Sequence, residues 1–254
     1  MKCGLLGRKL GHSYSPQIHN KLESYDYALY EKEPDEIEDF LKNSDFSGLN
    51  VTIPYKKDVI PYLDEISPIA QKLGAVNIIV RRNGKLIGHN SDHFGFQSMV
   101  EKSGLSPAGK KCLVLGSGGA SVTVCAVLRS LGARVTVISR SGEDNYDNLS
   151  RHADAQIIVN TTPVGMYPKN GVAPLSLDGF PQLEGVLDVI YNPAKTALLL
   201  AAETRNLVVM NGLLMLVAQA IRAVEIFLDT DLDRSAAPRV CDKIRADKEN
   251  IVLT

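Results

Sequence analysis

Cys112-Leu113-Val114-Leu115-Gly116-Ser117-Gly118-Gly119-Ala120-Ser121 runs from an apolar, strand-length segment into a glycine-rich turn, and Ser121 to Leu131 then read as a helix. A glycine loop between a strand and a helix is a dinucleotide signature. Glycines permit the tight turn and the close backbone approach, and the helix N-terminus offers N–H groups to a pyrophosphate. Ser121 holds the place of the last small residue. Arg134 to Ser139 follows as the second strand of a βαβ unit. Where an acidic residue would accept bonds from a ribose 2′-OH, the chain has Ser139-Arg140-Ser141. The planar guanidinium of Arg140 and the two hydroxyls suit a 2′-phosphate, which favours NADP over NAD. The ordinary alternative is a solvated arginine, and Glu143 and Asp144 just beyond weaken the positive field.

Downstream, Gln156 to Asn160, Gly185 to Ile190 and Leu207 to Met210 supply further strands. The apolar stretch from Gly212 to Leu228 contains Gln219, Arg222 and Glu225, which suits a packed helix and not a membrane span. Upstream, Met1 to Leu6 opens as a strand, and a helix follows with Ser15 as N-cap and Pro16 at the first helical position. Asp35 to Lys42 reads as a helix with its charges suited to the dipole. Leu49 to Ile53 is the next strand, and Asp58 to Leu73 carries a helical stripe broken by Pro61 and Pro68. Ala75 to Val80 and Lys85 to Gly88 form a hairpin on Asn83-Gly84. Phe94 to Ser103 reads as a connecting helix. The expected fold is α/β with parallel strands, in two domains: an α/β unit over 1–98 and a doubly wound Rossmann unit over 99–211. Helices over 212–254 are expected to return to the first unit.

A chain of 254 residues buries an ample core without disulfides, and its formal charge of -1 gives no electrostatic reason to bind nucleic acid or a membrane surface. A small molecule is the partner to expect. The 4 cysteines are scattered, with no CxxC and no histidine at ligand spacing, so neither a disulfide framework nor a metal is expected. The apolar part of the first residues is too short for a signal sequence, and the expected location is cytoplasmic.

Asn50-Val51-Thr52-Ile53-Pro54-Tyr55-Lys56 ends a β-prone run on a lysine that a proline-restrained backbone aims in one direction. On a strand, Lys56 and Lys57 would point to opposite faces, so only one would reach a cleft. Gly88-His89-Asn90-Ser91-Asp92 offers a carboxylate in a turn-rich setting. A hydride arriving at a ketone carbon leaves negative charge on oxygen, which needs a proton or a cation nearby. Lysine, carboxylate and dinucleotide loop together point to a dehydrogenase.

The segments Gly11-His12-Ser13-Tyr14-Ser15-Pro16-Gln17-Ile18-His19-Asn20, Asn50 to Lys56, Gly74-Ala75-Val76-Asn77 and Asn90-Ser91-Asp92 resemble the shikimate dehydrogenase family in order and spacing. So do Asn160-Thr161-Thr162-Pro163-Val164-Gly165-Met166, Tyr191-Asn192-Pro193 and Gly212 to Gln219. The resemblance implies NADPH-dependent reduction of 3-dehydroshikimate to shikimate, in aromatic amino-acid biosynthesis, by a monomer or homodimer without metal. It carries the catalytic pair onto Lys56 and Asp92, and the substrate contacts onto Ser13, Ser15, Thr52, Asn77, Asp92, Tyr191 and Gln219. It carries the cofactor contacts onto Gly116, Ser117, Gly118, Gly119, Ala120, Ser139, Arg140, Ser141, Thr161, Thr162, Val189 and Gly212. Taken singly, Ser15 reads as a cap, Asn77 as a turn former and Gln219 as a polar helix position; their joint placement is what supports function. His12, His19, His89, His93 and His152 have no place in that acid–base pair and are read as structural or incidental.

The chain departs from the family pattern at Ile78, Ser91, Ser117, Ser139 and Asp144. The last two make cofactor preference less secure than the reaction. Two rivals remain: a quinate or dual quinate/shikimate dehydrogenase, and a sensor that kept the fold and lost the chemistry.

Overall fold

The computed structural model describes residues 1–11, 13–22, 25–232 and 237–244; His12 lies outside them. Contacts group the chain into two units, one from Met1–Gly95 with Val217–Thr254, the other Phe96–Leu216.

The first unit contains β1 (Lys2–Gly7), α1 (Ser15–Leu22), β2 (Asp26–Glu31), α2 (Ile37–Asn43), β3 (Gly48–Val51), β4 (Glu65–Ile66), α3 (Pro68–Leu73), β5 (Ile78–Arg82) and β6 (Lys85–His89). They form one sheet in the order β2-β1-β3-β5-β6-β4. The sheet is mixed: β1 pairs in parallel with β2 and β3, while β5 pairs antiparallel with β3 and, across the expected hairpin, with β6. The cause is local. Asn83 and Gly84 take φ of 50° and 79°, the two-residue turn that folds a strand back on itself. Leu6, Leu41, Leu49, Tyr55, Val59 and Ile79 fill one face of this sheet. Ile78, Val80 and Phe227 belong to a second cluster.

Helix α1 begins one residue earlier than a Ser15 cap would have it. The Tyr14 carbonyl accepts the Ile18 N–H at 3.0 Å, and the Ser13 hydroxyl accepts the Ser15 N–H at 3.2 Å. Ser15 is thus the first helical residue and Ser13 does the local capping. Strand β2 carries no alternation of apolar residues because it is an edge strand, half exposed along its length.

The second unit contains β7 (Lys111–Leu115), α5 (Gly119–Ser130), β8 (Arg134–Ile138), β9 (Ile157–Asn160), β10 (Gly185–Asp188), α6 (Ala197–Glu203) and β11 (Val208–Asn211). Its sheet runs β11-β10-β9-β7-β8 with every pairing parallel. Strands β9 and β10 are buried at every residue, as continuous apolar runs covered on both faces require. The chain leaves β7 toward β8 on one side and returns to β9 on the other, so the strand order reverses at the carboxyl end of β7. Open α/β sheets bind ligands at such a reversal.

The division between the units falls within α4 (Asp92–Ser103) and within α7 (Leu213–Leu228). Residues 237–244 are helical. Among the described residues no helix is long and apolar enough to cross a membrane.

Candidate active site

Strand β3 ends at Val51, and the chain passes through a cis Ile53–Pro54 bond into a run of turns before Lys56. Lys56 is therefore not on a strand, and the argument from alternating faces does not apply to it. The turn itself sorts the two lysines. Tyr55 is fully buried, with its N–H donated to the Thr52 carbonyl at 3.0 Å, and the Lys56 carbonyl accepts the Val76 N–H at 2.7 Å. With its backbone pinned on both sides, Lys56 is half-buried while Lys57 is exposed.

Asp92 is the first residue of α4, where the helix dipole favours a negative charge. Asn90 braces the helix start: its amide donates to the Ala75 carbonyl at 2.9 Å and its Oδ1 accepts the His93 N–H at 3.3 Å. Lys56 Nζ donates to Asp92 Oδ2 at 2.5 Å, with side-chain exposures of 30% and 19%. A charge-assisted bond of this length holds the ammonium in one direction.

Ser91, fully buried beside Asp92, ties three segments together. Its N–H donates to Asn77 Oδ1 at 2.7 Å, the Asn77 amide donates to its hydroxyl at 3.2 Å, and that hydroxyl donates to Gln219 Oε1 at 3.3 Å. The start of β5 and the first half of α7 are thereby bound to the residue preceding the catalytic candidate. The sequence marked Ser91 only as a departure. Its role is visible once Asn77 and Gln219 are seen on either side of it.

Ser13, Ser15 and Thr52 are half-buried in the same unit. Ser15 hydrogen-bonds the Tyr27 phenol, which donates to Asn50 Oδ1 at 2.8 Å. His19 packs beneath, stacked on Tyr27 with ring centroids 4.2 Å apart, and its Nδ1 bonds the Tyr25 hydroxyl at 2.5 Å. Burial lowers its pKa to about 3. A neutral ring in a buried aromatic cluster is structural.

In the second unit the loop after β7 has the shape a dinucleotide needs. Gly116 takes φ of 99°, and a Cβ there would lie 2.9 Å from Thr162 Cγ2. A Cβ on Gly118 or Gly119 would meet nothing within 4 Å, so both glycines face open space. No side chain caps the N-terminus of α5, because its cap position is Gly118. Those N–H groups are the donors a pyrophosphate takes up. Ser117 and Ala120 are exposed at the same end. Thr161 follows β9 with its hydroxyl donated to the Leu115 carbonyl at 2.6 Å. Gly212 lies so close to Val189 that a Cβ would fall 2.0 Å from its carbonyl oxygen.

The segment after β8 closes on itself: the Ser139 N–H donates to the Asp144 carbonyl at 3.1 Å. Ser141 and Arg140 are exposed, and Arg140 makes no ion pair among the described residues. The Asp144 carboxylate is instead engaged by His152 Nε2 at 2.8 Å. That leaves the guanidinium available to a phosphate. Tyr191 is half-buried in the second unit.

Residues 5–79 match the family described as the shikimate dehydrogenase substrate binding domain. Over 252 residues the chain is 38% identical to a protein from Clostridium beijerinckii named shikimate dehydrogenase (NADP(+)), covering 91% of this chain and 93% of that one. The chain belongs to the shikimate dehydrogenase family. Among solved structures, a chorismate mutase/shikimate 5-dehydrogenase fusion protein from Clostridium acetobutylicum is similar with a TM-score of 0.90 at 34% identity, covering 96% of this chain and 97% of that one. The shikimate 5-dehydrogenase of Thermus thermophilus, solved in complex with NADP(H) and shikimate, is similar with a TM-score of 0.83 at 29% identity, covering 96% and 99%. Within this member of the shikimate dehydrogenase family, one unit gathers Lys56, Asp92, Asn77 and Gln219. The other gathers Gly116, Thr161, Thr162, Val189 and Gly212.

Proposed function

We propose that this chain reduces 3-dehydroshikimate to shikimate with NADPH, using Lys56 and Asp92 to manage the proton. Enzyme class and cofactor follow from family membership; the residue roles rest on chemistry. NADPH supplies the hydride when bound. Gly116, Ser117, Gly118, Gly119 and Ala120 would hold its pyrophosphate, and Ser139, Arg140 and Ser141 its 2′-phosphate, with Thr161, Thr162, Val189 and Gly212 completing the site. The observation that carries the proposal is the 2.5 Å contact between Lys56 Nζ and Asp92 Oδ2.

A ketone taking up hydride becomes an alkoxide, and an ammonium beside it both stabilises the charge and donates a proton. Asp92 orients Lys56 and supplies an acceptor for a ring hydroxyl. Asn77, Gln219 and Thr52 offer further fixed donors and acceptors for a polyhydroxylated ring, Ser13 and Ser15 hold its carboxylate, and Tyr191 adds a hydroxyl. A missing partner in such a pocket strands a buried polar group at a cost of about 1–3 kcal/mol.

The test is turnover of 3-dehydroshikimate and of 3-dehydroquinate with NADPH and with NADH. Dehydroshikimate with NADPH should give the highest kcat/KM. Preference for the quinate pair would move the chain to the dual-specificity branch. A flat absorbance trace despite measurable NADP+ binding would favour a sensor.

A further inference from the structure

Asp188 closes β10 with no solvent exposure, and no cation pairs with it among the described residues. Three donors converge on its carboxylate. The Asn160 amide and the Ile190 N–H reach Oδ1 at 3.1 and 3.0 Å, and the Thr196 hydroxyl reaches Oδ2 at 2.8 Å. An acceptor-only group suits such a site, since an amide would turn two hydrogens toward donors. Burial pushes its pKa up to about 6, so the fold keeps a carboxyl here against a desolvation penalty. A group held at such a cost calls for a reason beyond packing.

The bonds lead outward to the dinucleotide loop. Asn160, fixed by Asp188, accepts both the N–H and the hydroxyl of Thr162 on its Oδ1, at 3.0 and 2.7 Å. Thr162 Cγ2 is the atom against which Gly116 packs. On the other side the Ile190 carbonyl accepts the Gly212 N–H at 3.0 Å, and Gly212 abuts Val189. Asp188 thus stands two hydrogen bonds from Thr162, which packs on Gly116, and two from Gly212.

We propose that Asp188 is a positioning residue for the dinucleotide: it sets the ends of β9 and β10 so that the Gly116 loop, Thr161-Thr162 and Val189-Gly212 are already arranged before the cofactor arrives. The inference rests on the assignment of those segments to NADP, and not on the identity of the ring substrate.

Asp188→Asn keeps the shape and spoils the acceptor pattern. Calorimetry with NADP+ should show binding weakened roughly tenfold, as one mismatched buried hydrogen bond predicts. The KM for NADPH should rise in parallel, while the KM for 3-dehydroshikimate and the affinity for shikimate alone stay within about twofold. Asn160→Ser, which cuts the link to Thr162 and leaves Asp188 in place, should reproduce the cofactor effect if Asp188→Asn does not fold. Thr196→Val removes the donor on the far oxygen and should leave NADP+ binding within about twofold. Unchanged NADP+ affinity in both of the first two variants would overturn the proposal. So would equal losses for cofactor and ring acid, or an equal cofactor loss in Thr196→Val. If the unaltered chain binds NADP+ without reducing dehydroshikimate, the reaction assignment fails and the role of Asp188 is still decided by the binding data.

Discussion

The first unit, with its mixed sheet, buries His19 and the second, with its parallel sheet, buries Asp188, and acid acts on the two in opposite directions. His19 is neutral in the fold, with a pKa of about 3 against 6.5 when free. Below pH 6.5 the unfolded chain takes up a proton that the folded chain refuses, so this contribution to stability is lost as pH falls toward 3. Asp188 has its pKa raised to about 6 from 3.8. The folded chain takes up the proton first, so the cost of its buried charge, present above pH 6, is relieved as pH falls toward 3.8. The difference comes from neighbours. His19 sits among aromatic rings, whereas Asp188 is surrounded by donors that hold its charge at neutral pH.

The largest effect should confine the chemistry to the first unit. Lys56→Ala is expected to lower kcat by about a thousandfold or more, worth roughly 4 kcal/mol, with NADP+ affinity unchanged. Steady-state kinetics and calorimetry check it, and near-normal turnover would remove the lysine from the reaction. Next, acidification from pH 7 to 4 should take about 3 kcal/mol from the His19 contribution, seen as lower amide protection factors in the first unit once the intrinsic exchange rate at each pH is divided out. His19→Gln should flatten that slope. Over the same range the Asp188 contribution should improve by about 2 kcal/mol, and Asp188→Asn should abolish the gain in the second unit. Identical slopes in both units would break the contrast. The smallest effect concerns the loop: Gly116→Ala places an L-residue at positive φ, which costs about 1–2 kcal/mol and should weaken NADP+ binding without touching shikimate binding.

Much of this was legible beforehand for physical reasons. The βαβ unit could be read because an apolar run, a glycine turn and a helix lie within one local window, and the hairpin because Asn83-Gly84 admits only one kind of turn. Strand β2 escaped because an edge strand need not alternate, and the antiparallel pairing of β5 with β3 because partners distant in sequence leave no local trace. The proline-restrained run pointed to Lys56, but what separates it from Lys57 is a turn anchored to Val76, and not strand alternation. Ser91 and Asp188 look like ordinary polar residues in the sequence. Their weight comes from donors and acceptors contributed by segments far away, such as Gln219 for one and Asn160 for the other.

The approach of Gly212 to Val189 has a bearing on how such a chain can change over generations. A carbonyl oxygen 2.0 Å from the absent Cβ closes position 212 to every other amino acid while the backbone at 189 keeps its course. The side chain at 189 answers to a separate constraint, the apolar cluster it packs against, since only the main chain there makes the contact with 212. The two sites should therefore covary in path and not in residue type: glycine stays, position 189 stays apolar for its own reason, and a lineage that loses the glycine must first have rerouted the strand end beside it.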